Sequence, residues 1–376
     1  MSWRRLKDLK LQRRLKVRSR IIQLIREFFL NQGFFEAETP ILTPTAGQEP
    51  YLNPLKINFQ DEQGKSYDAY LITSPEYNHK RLLAAGFAKT FEITRSFRGG
   101  EPWSGQHNPE FTILEWYRAR ADYRKIMRDV EKMVCYIATK IFPERKPLKA
   151  AEVEGPSTGS GSKLLVKYLG RTIDLTPPWE RLSMHEAWEK YAGIDRRARI
   201  DDRQYVRGLC KARGYTVNKN DSYDDLFFKI FLTEIEPHLG QGRPIILFDY
   251  PASMAALARL KSSIKFPSLD GRGKGRVKQR YAERFEVYVA GMELGNAFSE
   301  LNDAREQRQR FLTEQGLRRK LGKESIPLDE DFLDALKHMP PAAGIAFGID
   351  RLVMLLTNAK TIDDVLAFPA DDLFGV

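Results

Sequence analysis

In the run Phe111-Thr112-Ile113-Leu114-Glu115-Trp116-Tyr117 a carboxylate stands among residues of strong strand preference. Side chains alternate along a strand, so Phe111, Glu115 and Tyr117 share one face: a ring, a carboxylate and a phenol. Burying that carboxylate would cost several kcal/mol unless a partner or a ligand compensates. Glu286 and Glu293 flank the turn signal Ala290-Gly291, so a hairpin would bring two carboxylates together across its strands. Paired carboxylates repel unless they share a proton or hold a cation, and Mg²⁺ bridging to phosphate oxygens is the natural occupant. Arg98 beside Gly99 and Gly100, and Arg351 near Gly348, stand where backbone can approach a ligand closely. Two such arginines suit nucleotide phosphates. Each feature alone is commonly a structural ion pair; together they describe a site.

The elements that must hold these residues can be read from periodicity. Ile21, Leu24, Ile25, Phe28 and Phe29 fall on one helix face, Gly33 offers a left-handed stop, and Phe34 to Thr39 reads as a short strand ended by Pro40. Thr90 to Phe97 and Phe111 to Arg118 read as an antiparallel pair joined by a long polar loop of the kind that carries function. Arg284 to Val289 and Met292 to Phe298 form the hairpin, and a Gly-rich strand from Gly344 to Gly348 runs into a helix near Asp350. Helical patterns dominate between Ser183 and Leu239, with Asp221 to Glu234 a clear example. The expected fold class is α+β, an antiparallel sheet flanked by helices.

Composition narrows the function classes. The chain has 376 residues, 61 Lys and Arg against 50 Asp and Glu, and a net charge of +11. An apolar fraction of 42% excludes a disordered chain, and no apolar run approaches the ~20 residues that cross a bilayer. The start, MSWRRLKDLKLQRRLKVRSR, carries charge where a signal peptide needs an apolar core, so the expected location is cytoplasmic. Cys135 and Cys210 are too few for a disulfide framework or a thiolate metal site. The histidines have no zinc-ligand spacing, and neither a phosphate-loop motif nor a G-x-S-x-G elbow is present. The basic excess suits an anionic partner: nucleic acid, nucleotide or an acidic protein. Residues 155–162 read as a flexible linker, and the basic stretch 262–280 as a solvated loop or a docking patch for an acidic partner.

At this point the sequence resembles the class II aminoacyl-tRNA synthetase catalytic domain in its lysine-activating branch. The helix and strand ending at Pro40 look like motif 1, the dimer-forming element. Phe97-Arg98-Gly99-Gly100-Glu101 followed by His107-Asn108-Pro109-Glu110-Phe111 looks like motif 2, and Gly344-Ile345-Ala346-Phe347-Gly348-Ile349-Asp350-Arg351 looks like motif 3. The segment Gly291-Met292-Glu293-Leu294-Gly295-Asn296-Ala297-Phe298-Ser299-Glu300-Leu301 is similar to the lysine-pocket signature.

The resemblance implies ATP and Mg²⁺ as cofactors and assigns roles by position. Arg98 would hold the α-phosphate and the substrate carboxylate. Glu101 and His107 would contact the nucleotide, Asn108 would read adenine, Phe111 would stack on it, and Arg351 would cover its other face and the γ-phosphate. Glu286 and Glu293 would ligate Mg²⁺. Glu76 would bind one substrate amine, Glu115, Tyr117 and Glu300 the side-chain amine, and Asn296 would lie near the carboxylate. Gly295 stands where ligases that use (R)-β-lysine have alanine and synthetases have glycine, which leaves lysine or β-lysine open as the substrate.

The acceptor expected from the resemblance is a protein. Only about 20 residues precede the first helix, too few for an anticodon-binding OB barrel of five strands. The chain is therefore similar to the truncated ligases that attach lysine or β-lysine to a lysine of translation elongation factor P. Thr73-Ser74-Pro75-Glu76-Tyr77, Leu114-Glu115-Trp116-Tyr117-Arg118 and Pro251-Ala252-Ser253-Met254-Ala255-Ala256-Leu257-Ala258-Arg259 resemble that family most. The alternatives are a short lysyl-tRNA synthetase acting on tRNA and a non-catalytic paralogue. The expected organisation is a basic extension over 1–20 and a catalytic domain over 21–376 with a helical insertion near 183–240, assembled as a homodimer through motif 1.

Overall fold

The computed structural model describes residues 3–103, 105–143, 163–195, 197–266 and 277–375; the side chains of 262–279 lie outside the description. Helix α1 (Leu9–Leu30) starts where the Asp8 carboxylate accepts from the Lys10 amide, and it stops ahead of Gly33, whose φ of 72° is left-handed. Leu11, Arg14 and Arg18 are buried on it together with Ile21, Leu24, Ile25 and Phe29. The expected boundary at residue 20 therefore cuts a continuous helix. Its basic residues are not a free arm, because Arg18 reaches Asp350 at 2.5 Å, Arg14 reaches Asp364 at 2.9 Å, and Arg5, ahead of the helix, reaches Asp372 at 2.5 Å.

Strand β1 (Phe35–Glu36) is shorter than the expected Phe34 to Thr39. The Ala37 amide still donates to the Phe91 carbonyl, but Thr39 turns its amide and hydroxyl to the Glu92 carboxylate at 3.0 and 2.9 Å, and Pro40 has no amide to continue the ladder. Strands β2 (Leu42–Thr43), β3 (Lys56–Gln60) and β4 (Ser66–Leu71) form a small separate sheet. Helix α2 (Glu76–Ala84) leads to the expected antiparallel pair, β5 (Lys89–Phe97) and β6 (Glu110–Ala119), followed by α3 (Tyr123–Ile141).

A hairpin of β7 (Leu165–Tyr168) and β8 (Arg171–Asp174) precedes β9 (Glu180–Ser183) and the helices α4 (Met184–Ala192), α5 (Arg203–Ala212) and α6 (Tyr223–Ile230). These helices have their own apolar core, with Trp188, Phe227 and Phe231 packed against Leu247 and Tyr288 of the sheet. The remaining elements are β10 (Ile245–Pro251), β11 (Leu260–Phe266), β12 (Val277–Val289), β13 (Met292–Ser299), α7 (Ala304–Lys320), α8 (Glu330–Ala335), β14 (Ala342–Gly348), α9 (Ile349–Thr357) and α10 (Ala370–Phe374). The 155–162 linker and the middle of the 262–280 stretch lie outside the described residues. The ends of that stretch are paired backbone of β11 and β12 rather than irregular loop.

Among the described residues nine strands make one sheet in the order β1-β5-β6-β14-β13-β12-β10-β9, with β11 also on β12. The interior pairs are antiparallel. The outer pairs β1 with β5 and β9 with β10 are parallel, and α4 to α6 supply the long crossover that the second of these requires. One face of the central strands, carrying Leu114, Trp116, Ile345 and Phe347, packs on α1, α3 and α9 as the main core. Alternation then sends Glu115, Tyr117, Gly344 and Ala346 to the other face, where the site is built.

Candidate active site

The register of β6 and β14 sets Glu115 against Ala346 and Tyr117 against Gly344. A methyl on Gly344 would lie 2.2 Å from the Tyr117 ring, so only glycine lets the phenol settle there. Tyr117 Oη donates to Glu115 Oε2 at 2.7 Å, and Ser74 Oγ donates to Oε1 at 2.5 Å. Glu115 is fully buried. Burial, with repulsion from Glu76, pushes it up to about 8, although both hydroxyls favour the charged form. Glu300, just beyond β13, is also buried and is pushed up to about 8 by burial, with the Lys80 ammonium opposing. His79 stacks on Tyr117 with centroids 4.9 Å apart and reaches Thr90 Oγ1 and the Glu92 carboxylate behind it. The expected amine ligands Glu76, Glu115, Tyr117 and Glu300 thus converge on one dry corner.

The second group lies farther along the sheet. Glu101 Oε2 meets His107 Nδ1 at 2.6 Å, which holds the Glu101 carboxyl below its ordinary value, and Arg98 stands 3.8 Å from Oε1. The Arg98 guanidinium lies 5.0 Å from the centroid of the Phe111 ring, a cation–π contact, so a stacked base would share that ring with it. Arg351, in the first turn of α9, donates to the Glu293 carbonyl at 2.7 Å, with its guanidinium 3.9 Å from the Glu293 carboxylate. The side chain of Asn108 is partly engaged within the fold, with one Nδ2 hydrogen and one Oδ1 lone pair left for a ligand. Its Nδ2 donates to the Glu110 carbonyl of β6 and its Oδ1 accepts from the Ala370 amide of α10, which fixes the orientation of the amide.

Glu286 and Glu293 share the site face, but they are diagonal rather than opposite. The turn at Ala290-Gly291 sets Tyr288 opposite Glu293, and a bulge after Val287 then sets Asn296 rather than Gly295 opposite Glu286. Burial and repulsion from Glu286 push Glu293 up to about 7, an excess of negative charge that a divalent cation would relieve. Mg²⁺ takes one or two carboxylates and fills its octahedron with water and phosphate oxygens, so the pair fits it. Glu293 is the freer ligand, since Glu286 already accepts from Tyr250 and Tyr288 at 2.5 and 2.7 Å and from Arg284 at 2.5 Å.

A family model described as tRNA synthetases class II (D, K and N) matches residues 1–372. The chain belongs to that family. It is 38% identical over 359 residues to the lysine–tRNA ligase of Moorella thermoacetica, a match that covers 94% of this chain and 64% of that protein. It is 36% identical over 357 residues to the lysine–tRNA ligase of Carboxydothermus hydrogenoformans, with 94% and 64% covered, and 36% identical over 359 residues to that of Escherichia coli, with 94% and 63% covered. The chain thus spans a little under two thirds of the length of these relatives.

Within this class II synthetase fold, one expected pocket residue is misplaced. Gly295 pairs with Phe347, so its missing side chain would point at Phe347 and Ile345 on the helix-packed face, not into the pocket. Its neighbour Asn296 does face the site, and Asn296 Oδ1 is buried with no hydrogen-bond partner among the described residues. Sequence reasoning missed Ser74, Lys80, Tyr250 and Tyr288, and also Glu49, whose Oε2 is likewise unpartnered among the described residues. Glu49 lines a small cavity with Thr73, Ser74, Glu76 and Tyr77, and its carboxyl is raised by burial and by Glu76. Only Lys80 had a sequence signal, the four-residue step from Glu76 along a helix.

Proposed function

We propose that the protein activates lysine or β-lysine with ATP as an aminoacyl adenylate and transfers the aminoacyl group to a lysine side chain of translation elongation factor P. The observation that carries the activation half is the dry convergence of Glu76, Glu115 and Glu300 beneath Tyr117. Ammonium groups would compensate buried carboxylates there, whereas an acidic side chain would be repelled. Asn296, with its unpartnered oxygen on the same face, is proposed to lie near the substrate carboxylate together with Arg98.

In the first step a carboxylate oxygen attacks the α-phosphorus in line and pyrophosphate leaves. Arg98 would hold the α-phosphate through this, and Arg351 the γ-phosphate, so the chain supplies position and positive charge rather than a proton relay. Glu293 and Glu286 would hold Mg²⁺, which supplies charge neutralisation on the phosphate oxygens. In the second step the acceptor amine attacks the carbonyl carbon, AMP leaves and an amide forms. Exposed Phe35, Ile41 and Leu42 beside the motif 1 strand support the proposed homodimer, and no described helix is long and apolar enough to cross a membrane.

The protein acceptor rests on the likeness of residues 73–77, 114–118 and 251–259 to the elongation factor P ligases. A second reading, charging of tRNA, is favoured by the names of the relatives, all lysine–tRNA ligases. Incubation with ATP, labelled lysine and either elongation factor P or tRNA separates them. Label on elongation factor P is the expected result, and label on tRNA alone would establish the second reading.

A further inference from the structure

The amine pocket contains a cation of its own. Lys80 sits one turn beyond Glu76 on α2, with its Nζ 2.5 Å from Glu76 Oε1 and 2.7 Å from Glu300 Oε2, and its side chain is wholly buried. Lysine is almost never fully buried unless paired. Burial opposes its charge, but Glu300 and Glu76 more than offset this and hold the ammonium protonated. A fixed ammonium looks misplaced in a pocket read as a receptor for ammonium groups, since like charges repel.

Counting charge resolves the difficulty. Two bound ammonium groups would keep Glu76, Glu115 and Glu300 all ionised. Three negative charges against a diamine would leave one buried carboxylate uncompensated, a costly arrangement. Lys80 removes one of them and leaves two. Its bridge also ties α2 to the end of β13, the two elements that deliver Glu76 and Glu300. Its partners face it from both sides, so it has little freedom to swing out and make room for a third ligand amine.

We propose that Lys80 is a built-in counter-ion that cancels one negative charge of the Glu76, Glu115 and Glu300 set and leaves two for the two ammonium groups of the substrate proposed above. Lys80 is on this view a positioning residue: it acts through Glu76 and Glu300 and does not touch substrate. The inference rests on the amine-pocket reading above.

The test is amino-acid-dependent pyrophosphate exchange by the full chain with Lys80→Met, which keeps the length of the side chain and removes its charge. The KM for lysine should rise about tenfold or more, while the KM for ATP stays within about twofold. The preference for lysine over norleucine should fall by a similar factor. In Lys80→Ala, ethylammonium should restore lysine-dependent exchange, and ethanol, similar in size but uncharged, should not. A lysine KM that stays within twofold, a parallel rise in both KM values, or equal rescue by ethanol would overturn the inference and make Lys80 a packing residue. Should the methionine variant not fold, Lys80→Gln keeps hydrogen bonding without charge and is judged by the same criteria. Absence of lysine-dependent exchange in the unaltered protein would instead remove the amine-pocket reading itself, and this inference with it.

Discussion

The two ends of the proposed site are built on opposite terms. At the ammonium end Glu115, Glu300 and Lys80 are 0, 1 and 0% exposed, and every oxygen of Glu115 already accepts from a hydroxyl. At the phosphate end the side chains of Arg98, Glu101, His107 and Arg351 are 33, 24, 40 and 22% exposed. A dry, hydrogen-bonded pocket rejects a ligand that lacks the matching group, because its own polar atoms are then left unpaired. A wet, charged rim steers and neutralises phosphates, yet it discriminates little and lets pyrophosphate leave. On the proposed function, the contrast teaches where selectivity would reside: the choice of amino acid would be prepaid in the fold at one end, and the nucleotide site would be assembled around its ligand at the other.

The strongest way to break this contrast is Glu115→Gln, which keeps shape and removes the charge that a bound ammonium group would draw out. The KM for lysine should rise about 100-fold with the KM for ATP nearly unchanged, as pyrophosphate exchange would show. Equal loss of both would mean that the pocket has been misplaced.

A smaller effect should appear in the proton balance. Glu115 and Glu300 sit at about 8 in the folded protein against an ordinary 4.5, so the folded state holds protons that the unfolded chain has released. Stability from these groups is therefore fullest below pH 4.5 and falls as pH rises towards 8. Bound ammonium groups reverse the preference, so lysine should expel protons and bind more tightly from pH 6 to 8, by about tenfold per unit at most for each proton. Calorimetry in two buffers of different ionisation enthalpy reads the released protons directly. ATP added alone should release none from this pair.

The smallest effect belongs to the open end. His107→Ala removes the 2.6 Å contact with Glu101, but the pair is solvent-screened, so the KM for ATP should rise about fivefold or less and the KM for lysine should not move. A large effect here would show that the rim is more ordered than its exposure suggests.

Much of this was legible in advance, and the reasons differ by residue. Phe111, Glu115 and Tyr117 obey the two-residue period, and the β12–β13 turn and the β14–α9 junction follow from local signals, so those elements lie where expected. The diagonal placing of Glu286 and Glu293 follows from the Ala290-Gly291 turn itself, whereas the bulge that sets Asn296 rather than Gly295 opposite Glu286 depends on how two strands meet and has no local signal. Gly295 was assigned by motif, but its face is decided by the register with β14, set some fifty residues later in the chain. The stretch 1–20 reads as a basic extension, yet α1 begins at Leu9, because Arg14 and Arg18 are buried against Asp364 and Asp350 at the far end of the sequence.

That last pairing bears on how the molecule is made. Arg18 and Asp350 are separated by 332 residues, and β14, the last strand in sequence among the described residues, occupies the middle of the sheet between β6 and β13. At ribosomal rates of roughly 5 to 20 residues per second, α1 waits roughly 15 to 65 s for its carboxylate. Until then β6 and β13 have unpaired edges facing a gap, exposed hydrogen-bonding rows that invite association with other chains. The face that carries the candidate site therefore needs strands from both halves of the described chain. It is complete only when nearly all of the described chain has emerged.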